Sequence, residues 1–461
     1  MLDKLGQYLT GIADTVCGYP LFITLIGGGL LLFFGSGMVS LRRLPDALHV
    51  LRRKQSTSSS GEISSVQALL SVVAATVGMG NIAGVAIALV MGGPGAIFWM
   101  WVSAIVGMST KYHEGVLAIR YRSFDNAGRP YGGTMHIIRN GLSKRWWPMA
   151  RFFAVAGMFG TLCIMNANQL TEAAVSTVGS LTQVNSPLHL KLVIGFAIAA
   201  VVTVVVVGGV RRIATVASVL VPFMVAAYFV MVLYIILTHL PAVPGVFVSI
   251  FSEAFSLKAG WGALAGVAII GARRAALVND AGVGTASIMH GTSANREPVR
   301  EGLVAMLGPA IDSGFVCTLT AVAILLCGDI SNVEGVKGLS VAMDAFDSAI
   351  PGGRYMLMGI VTCFAMSSMF SYSFYGRRCA HYLFGEKGER GYTAFFISTL
   401  VVFSVISLDA AVGLCDLFYA CMAFPTMITL ILLRGKVREL TRSYFHTSDR
   451  RTRTVAGRQP V

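Results

Sequence analysis

The sequence predicts an all-α polytopic membrane protein, and three observations lead there. Of the 461 residues, 55% are hydrophobic and only 13% are charged, far from the balance of a soluble globular domain. Apolar runs of roughly 20 residues recur along the chain, the length needed to cross a hydrocarbon core about 30 Å thick. Lys and Arg concentrate on alternate connections between those runs, as they do where one side of a membrane retains positive charge.

The runs begin near Pro20, Val66, Ala96, Trp147, Leu192, Ile213, Ala263, Leu303, Met356, Ala394 and Val412, which gives about eleven transmembrane helices. The first twenty residues carry Asp3, Lys4 and Asp14 and lack the continuous apolar stretch of a secretory signal, so they read as a short interfacial helix. A polar linker, Lys54 to Ser65, separates the first span from the rest. The chain divides into an N-terminal segment (1–65), a ten-helix core (66–434) and a basic tail (435–461). With the N-terminus outside, Leu41–Lys54, Lys111–Arg145, Arg211–Arg212, Arg296–Arg300, Arg377–Arg390 and Arg434–Arg458 all fall on the cytoplasmic side of the membrane, together with the C-terminus. Only Lys4, Lys191, Lys258, Lys337 and Arg354 stand opposite. The net charge of +14 is therefore a topology signal, and its spread over six loops without an aromatic platform excludes a nucleic-acid partner. The eight cysteines form no C-x-x-C pair and read as small buried hydrophobes.

The second span raises a physical problem. In "VGMGNIAG", Val77 to Gly84, three glycines and an asparagine sit at the head of an apolar run. Glycine in a helix interior costs about 1 kcal/mol relative to alanine, and a buried amide needs partners, so the helix is expected to break here. A related string, "NDAGVG" (Asn279 to Gly284), lies five spans later, and an odd separation places the two in opposite orientations. Interrupted helices at corresponding places in two inverted halves point to a secondary transporter's binding site. Close packing of small residues would account for the glycines, but not for the two asparagines or Asp280. At such a break one half-helix offers carbonyls, suited to Na⁺ or an ammonium group. The other offers amides and about half a positive charge, suited to a carboxylate.

The strings "ATVGMGNIAGVAIALVMGGPGAIFWMW", "GMSTKYHEGVLAIRYR", "RRAALVNDAGVGTAS", "REPVREGLVAMLGPAID", "FYGRRCAHYLFG" and "DLFYACMAFPTMITLILL" resemble, in order from about Ser65 to Leu433, the alanine or glycine:cation symporters. "VGMGN" is also similar to the V-G-x-G-N of the neurotransmitter:sodium symporters. The resemblance implies a five-plus-five inverted-repeat (LeuT-like) core with one extra N-terminal helix. It also implies symport of small neutral amino acids such as alanine or glycine, with Na⁺ as coupling ion and H⁺ as the alternative, and no organic cofactor.

Carried over by residue, the resemblance puts Gly78, Gly80 and Asn81, with Thr76 just before them, at the substrate carboxylate. Asn279, Asp280, Ala281, Gly282 and Gly284 would line the pocket and face the amino group, Gln169 would face the substrate, and Tyr372 would close the pocket where the family usually has Trp. The Na⁺ ligands would be the carbonyls of Ala74, Val77 and Phe364 and the hydroxyls of Ser367 and Ser368. A serine pair in an apolar span is otherwise commonly bonded to its own backbone, so this role rests on the resemblance.

Some residues depart from the pattern: Asp280 replaces a common Glu, Val278 a common Ser, and Thr285 and Ser287 a common Ser and Pro. Glu172 stands where a small polar residue is usual, and reads either as a proton-coupling or substrate-selecting group or as a half-solvated vestibule residue. Asp312 is expected to pair with Arg273 and Arg274, since a buried unpaired charge is costly. An enzyme is excluded by the lack of a phosphate loop, of a second His after "HEGVL", and of a nucleophile motif. His113, His136 and His290 read as loop or interface residues. A channel would more often show a selectivity sequence.

Overall fold

The computed structural model describes residues 18–52, 63–125, 128–182, 187–256, 261–328 and 338–456. The expected interfacial helix and nearly all of the Lys54–Ser65 linker lie outside the described residues. Among the described residues, the regular structure is helical apart from a two-stranded hairpin, Ser123–Phe124 against Pro130–Tyr131, and a single Ile63–Ser293 bridge.

Helix α1 (Tyr19–Gly35) is followed by a short amphipathic α2 (Leu44–Arg52). The core opens with α3 (Ser65–Thr76), started by a reciprocal cap in which Ser64 Oγ accepts the Gln67 N–H at 3.1 Å and Gln67 Oε1 accepts the Ser64 N–H at 3.0 Å. After a bend of 57° the chain resumes as α4 (Gly80–Gly92) and turns into α5 (Gly95–Arg120). Beyond the hairpin come α6 (Thr134–Gly141), α7 (Trp147–Gly160), α8 (Ile164–Thr182), α9 (Pro187–Val206), α10 (Gly209–Thr238) and α11 (Val243–Ala254). The second broken unit is α12 (Trp261–Asn279) with α13 (Thr285–His290). It is followed by α14 (Pro298–Cys327), α15 (Gly338–Ala349), α16 (Gly353–Phe403) and α17 (Leu408–Ala456). Gly385, at φ 69°, ψ −159°, divides α16 into two.

Among the described residues, six helices are long and apolar enough to span a membrane, and the bent α3–α4 pair makes a seventh. The other four expected segments are also helical, with visible reasons for falling short of that standard. α1 is brief, α5 carries Lys111, Glu114 and Arg120, α12 carries Arg273 and Arg274, and the Ala394 segment continues α16. Val193, Phe196, Val204, Val219, Phe223 and Val230 on α9 and α10 are exposed, an apolar surface that suits lipid.

Both predicted breaks are present. Val77 ends α3 with ψ 89°, and the Gly78 N–H is capped by Asn81 Oδ1 at 2.9 Å. At the other, Asp280, Gly282 and Gly284 have φ of 52°, 86° and 94°, and Asn279 Oδ1 accepts the Ala281 N–H at 3.0 Å. A Cβ at Gly80 would lie 3.3 Å from Val278 Cγ2, so the two breaks are packed together.

Two irregularities were not legible in the sequence. The span expected from Trp147 is interrupted, with Cys163 at φ 54°, a conformation uncommon outside glycine. α14 opens into a π-turn over Ala310–Val316, directly after Pro309, and presents Asp312 and Ser313 inward.

Candidate functional site

A cavity of about 90 Å³ lies against the first break and the end of α12. Several times the roughly 10–15 Å³ that one water needs, it is well below the roughly 300–1,000 Å³ of drug-sized sites. Thr76, Gly78 and Gly80 form one wall, Val278 and Arg274 of α12 another, and Ser368 and Tyr372 of α16 a third. Cys163 and Asn166 at the start of α8, and Asp416 and Tyr419 of α17, complete it.

The chain comes close at the first wall: a Cβ at Gly78 would lie 2.6 Å from Ser368 Oγ and would displace that hydroxyl. This close approach assembles an oxygen cluster. Ser367 Oγ donates to the carbonyls of Ala74 (3.0 Å) and Phe364 (2.9 Å), and Ser368 Oγ reaches the same two at 3.3 and 3.1 Å. All four residues are fully buried or nearly so, and Ser368 also faces the cavity. Neutral oxygens from two helices suit a hard cation. Val77, where α3 ends, is buried as well, but its carbonyl is not among these contacts.

Several expected residues sit differently. Asn81 is buried behind the wall, holding the Gly78 amide. Asn279, Asp280, Ala281, Gly282 and Gly284 lie behind Val278 and are off the wall. Gly282 N–H donates to Glu114 Oε1 at 2.8 Å, and a Cβ on Gly284 would lie 2.4 Å from Thr134 Oγ1. Asp280 touches the wall indirectly, its Oδ2 accepting from the Tyr372 hydroxyl, which in turn accepts from Tyr419 at 2.5 Å. Gln169 is buried but off the wall, and Asn166, one turn earlier on the same helix face, occupies it instead. The amide-rich string "NANQ" carried that signal.

The expected Asp312 ion pair does not form. Arg273 Nη2 binds Asp416 Oδ2 at 2.9 Å, while Asp312 Oδ2 accepts from Thr76 Oγ1 at 2.5 Å. The face of α12 that carries Arg273 meets α17, and the π-turn presents Asp312 toward α3. Glu172 pairs with Lys191 of α9 and its side chain is 43% exposed, which is the half-solvated alternative. Lys111, counted above with a basic loop, is wholly buried inside α5. The three histidines are buried too. His113 Nδ1 lies 2.7 Å from the Ser109 carbonyl, and burial beside Arg139, Arg378 and His381 pushes His136 down to about 3.

Near the basic segment Arg296–Arg300, a buried polar network forms around Glu301. Glu301 Oε2 accepts from Ser65 Oγ (2.5 Å), Ser293 Oγ (3.1 Å) and Asn295 Nδ2 (3.2 Å), and its Oε1 lies 2.7 Å from His290 Nδ1. The Ala294 N–H also donates to the Ile63 carbonyl at 2.7 Å. These contacts tie the start of α3, the end of α13 and the start of α14 together. The Arg273–Asp416 pair lies elsewhere, at the cavity wall to which Asp416 belongs.

The model of the sodium:alanine symporter family matches residues 2–457. The chain belongs to that family. It is a transporter and not an enzyme. The sodium/alanine symporter AgcS of Methanococcus maripaludis is 36% identical over 439 residues, covering 93% of this chain and 95% of that protein. The amino-acid carrier protein AlsT of Bacillus subtilis is 30% identical over 428 residues, covering 92% and 89%. Among solved structures, the crystal structure of MhsT in complex with L-phenylalanine aligns with a TM-score of 0.49 at 14% identity, covering 84% of this chain and all of that one.

Proposed function

We propose that this symporter takes up small neutral amino acids such as alanine or glycine, driven by Na⁺, across the cytoplasmic membrane. The observation that carries the reading is the sharing of Ser368 between a cavity of about 90 Å³ and the oxygen cluster of Ala74, Phe364 and Ser367. Adjacent sites with a common side chain let ion and substrate stabilise one another, and the coupling is reciprocal.

The substrate carboxylate sits at the amides around Gly78 and Gly80, where α4 begins and its dipole is positive. The ammonium group faces the carbonyl end of α12 and the Asp280–Tyr372 pair. Na⁺ takes the carbonyls of Ala74, Val77 and Phe364 and the two serine hydroxyls. Asn166 takes the substrate-facing place expected of Gln169. Eleven spans, with a ten-helix core of two inverted halves, fit the positions of the two breaks. The Lys/Arg-rich loops fit a cytoplasmic C-terminus even after Lys111 is removed from the count. Rocking of the two broken helices against the remaining core, with release of the Glu301 contacts, then opens the site inward.

A panel of labelled amino acids in proteoliposomes, with and without an imposed Na⁺ gradient, tests this. Alanine and glycine should accumulate only with the gradient. Equal uptake with choline in place of Na⁺ at fixed pH rejects sodium coupling, and flux that never exceeds equilibration favours a channel.

A further inference from the structure

Behind the cavity, α5 and α14 bring Lys111, Glu114 and Asp312 around Asp280, and each of the four is at most 1% exposed. Lys111 is within electrostatic reach of all three carboxyl groups. Lys111 Nζ, Glu114 Oε2, Asp280 Oδ1 and Asp312 Oδ1 are buried atoms without a hydrogen-bond partner among the described residues. Three carboxylates against one ammonium leave two negative charges in excess in a region shielded from water, a costly arrangement unless cations or protons neutralise it. Among the described residues, no three acidic, histidine or cysteine side chains converge closely enough to hold a metal ion. Protons are the cations that such scattered carboxyls can take up one at a time.

One of these carboxyls is wired to the cavity. Tyr419 and Tyr372 both line it, the Tyr419 O–H donates to the Tyr372 oxygen at 2.5 Å, and the Tyr372 O–H donates to Asp280 Oδ2. Thr285 Oγ1 donates to the same oxygen at 3.1 Å. Every donor in the chain points toward Asp280. Asp312 reaches the wall only through Thr76, whose single proton is shared with the Val72 carbonyl. Asp280 also lies in the unwound segment between α12 and α13, at φ 52°.

We propose that Asp280 is a proton-binding site of this carrier, loaded from the substrate cavity through the hydroxyls of Tyr419 and Tyr372. The transfer balances. Tyr372 gives its proton to Asp280 Oδ2 and takes that of Tyr419, Tyr419 takes one from the cavity, and rotation of the two hydroxyls resets the relay. Asp280 goes from carboxylate to carboxylic acid, and one positive charge enters. The groups facing it are Lys111 and Glu114 from α5, Asp312 from α14, Tyr372 and Tyr375 from α16, Tyr419 from α17, and Cys163 before α8. Its link to substrate rests on the reading of the cavity as an amino-acid site.

Infrared difference spectroscopy of the full-length protein in lipid nanodiscs tests the proposal without requiring transport. Between high and low pH at constant Na⁺, the wild type should gain a carboxylic-acid carbonyl band that Asp280→Asn lacks. Tyr372→Phe should keep the band at a shifted frequency, because the hydroxyl no longer donates to it. The proposal is overturned if Asp280→Asn retains every such band. It is equally overturned if the band responds to Na⁺ but not to pH. Should Asp280→Asn fail to fold, unchanged carboxylic-acid bands in Tyr372→Phe overturn it alone. Added alanine should move the Asp280 band. A pH-sensitive band lost in Asp280→Asn but indifferent to alanine upholds the proton site and rejects the amino-acid reading instead.

Discussion

Glu301 is the point at which the tie between the start of α3, the end of α13 and the start of α14 can be tested quantitatively. Three donors converge on its Oε2 within 3.2 Å, and an oxygen accepting from Ser65, Ser293 and Asn295 serves as a carboxylate. Glu301→Gln preserves the shape. Its amide oxygen can keep the three donors, and its amide nitrogen can donate to His290 Nδ1. What is lost is the charge assistance, the difference between about 1.5–3 kcal/mol for a hydrogen bond to a charged group and about 0.5–1.5 for a neutral one. Over four contacts that do not add fully, the loss is about 3 kcal/mol, on the order of a 100-fold shift toward states in which the start of α3 parts from α14. Hydrogen exchange of peptides covering residues 63–76 and 285–305 reads this directly, since local opening governs it. Exchange there should quicken on the order of 100-fold in Glu301→Gln, while α9 and α10 stay unchanged. Exchange within twofold of wild type would mean that apolar packing, not this network, holds these elements together.

Ser368→Ala removes a hydroxyl from the proposed cation site without adding bulk beside Gly78. The Na⁺ concentration for half-maximal alanine uptake should rise about tenfold, the equivalent of roughly 1.4 kcal/mol, and an unchanged Na⁺ dependence rejects the ligand assignment. For Glu172→Gln, which breaks a half-exposed pair with Lys191, stability should change by at most about 1 kcal/mol. The pH profile of uptake should not move; a flattened profile would restore Glu172 as a coupling group. His136, on α6 outside the spanning helices, is held down to about 3 by burial and neighbouring Arg139 and Arg378, against an ordinary value near 6.5. The folded form therefore binds fewer protons than the unfolded form between those values, and stability falls as pH drops through that window. At pH 5 the loss is about 2 kcal/mol. Thermal unfolding in detergent should show a smaller drop between pH 7.5 and 5 for His136→Gln than for the wild type.

The sequence by itself determined the membrane class, the helical segments and the two breaks. Those properties follow from local physics: apolar length, the cost of glycine in a helix, and the side-chain caps that Asn81 and Asn279 supply within three residues of themselves. It also brought Ala74, Phe364, Ser367 and Ser368 into one candidate site through a family pattern, and the structure assembles them. Only the tertiary structure decided the partners of the charged residues. Arg273 found Asp416 instead of Asp312, Glu172 found Lys191, and Lys111 went inside, because ion pairing depends on which helix faces meet and a single chain pattern does not state that. The same reason put Asn166 rather than Gln169 on the cavity wall. One turn of helix is indistinguishable in sequence; in the structure, α8 places its first turn, with Asn166, at the wall beside Cys163.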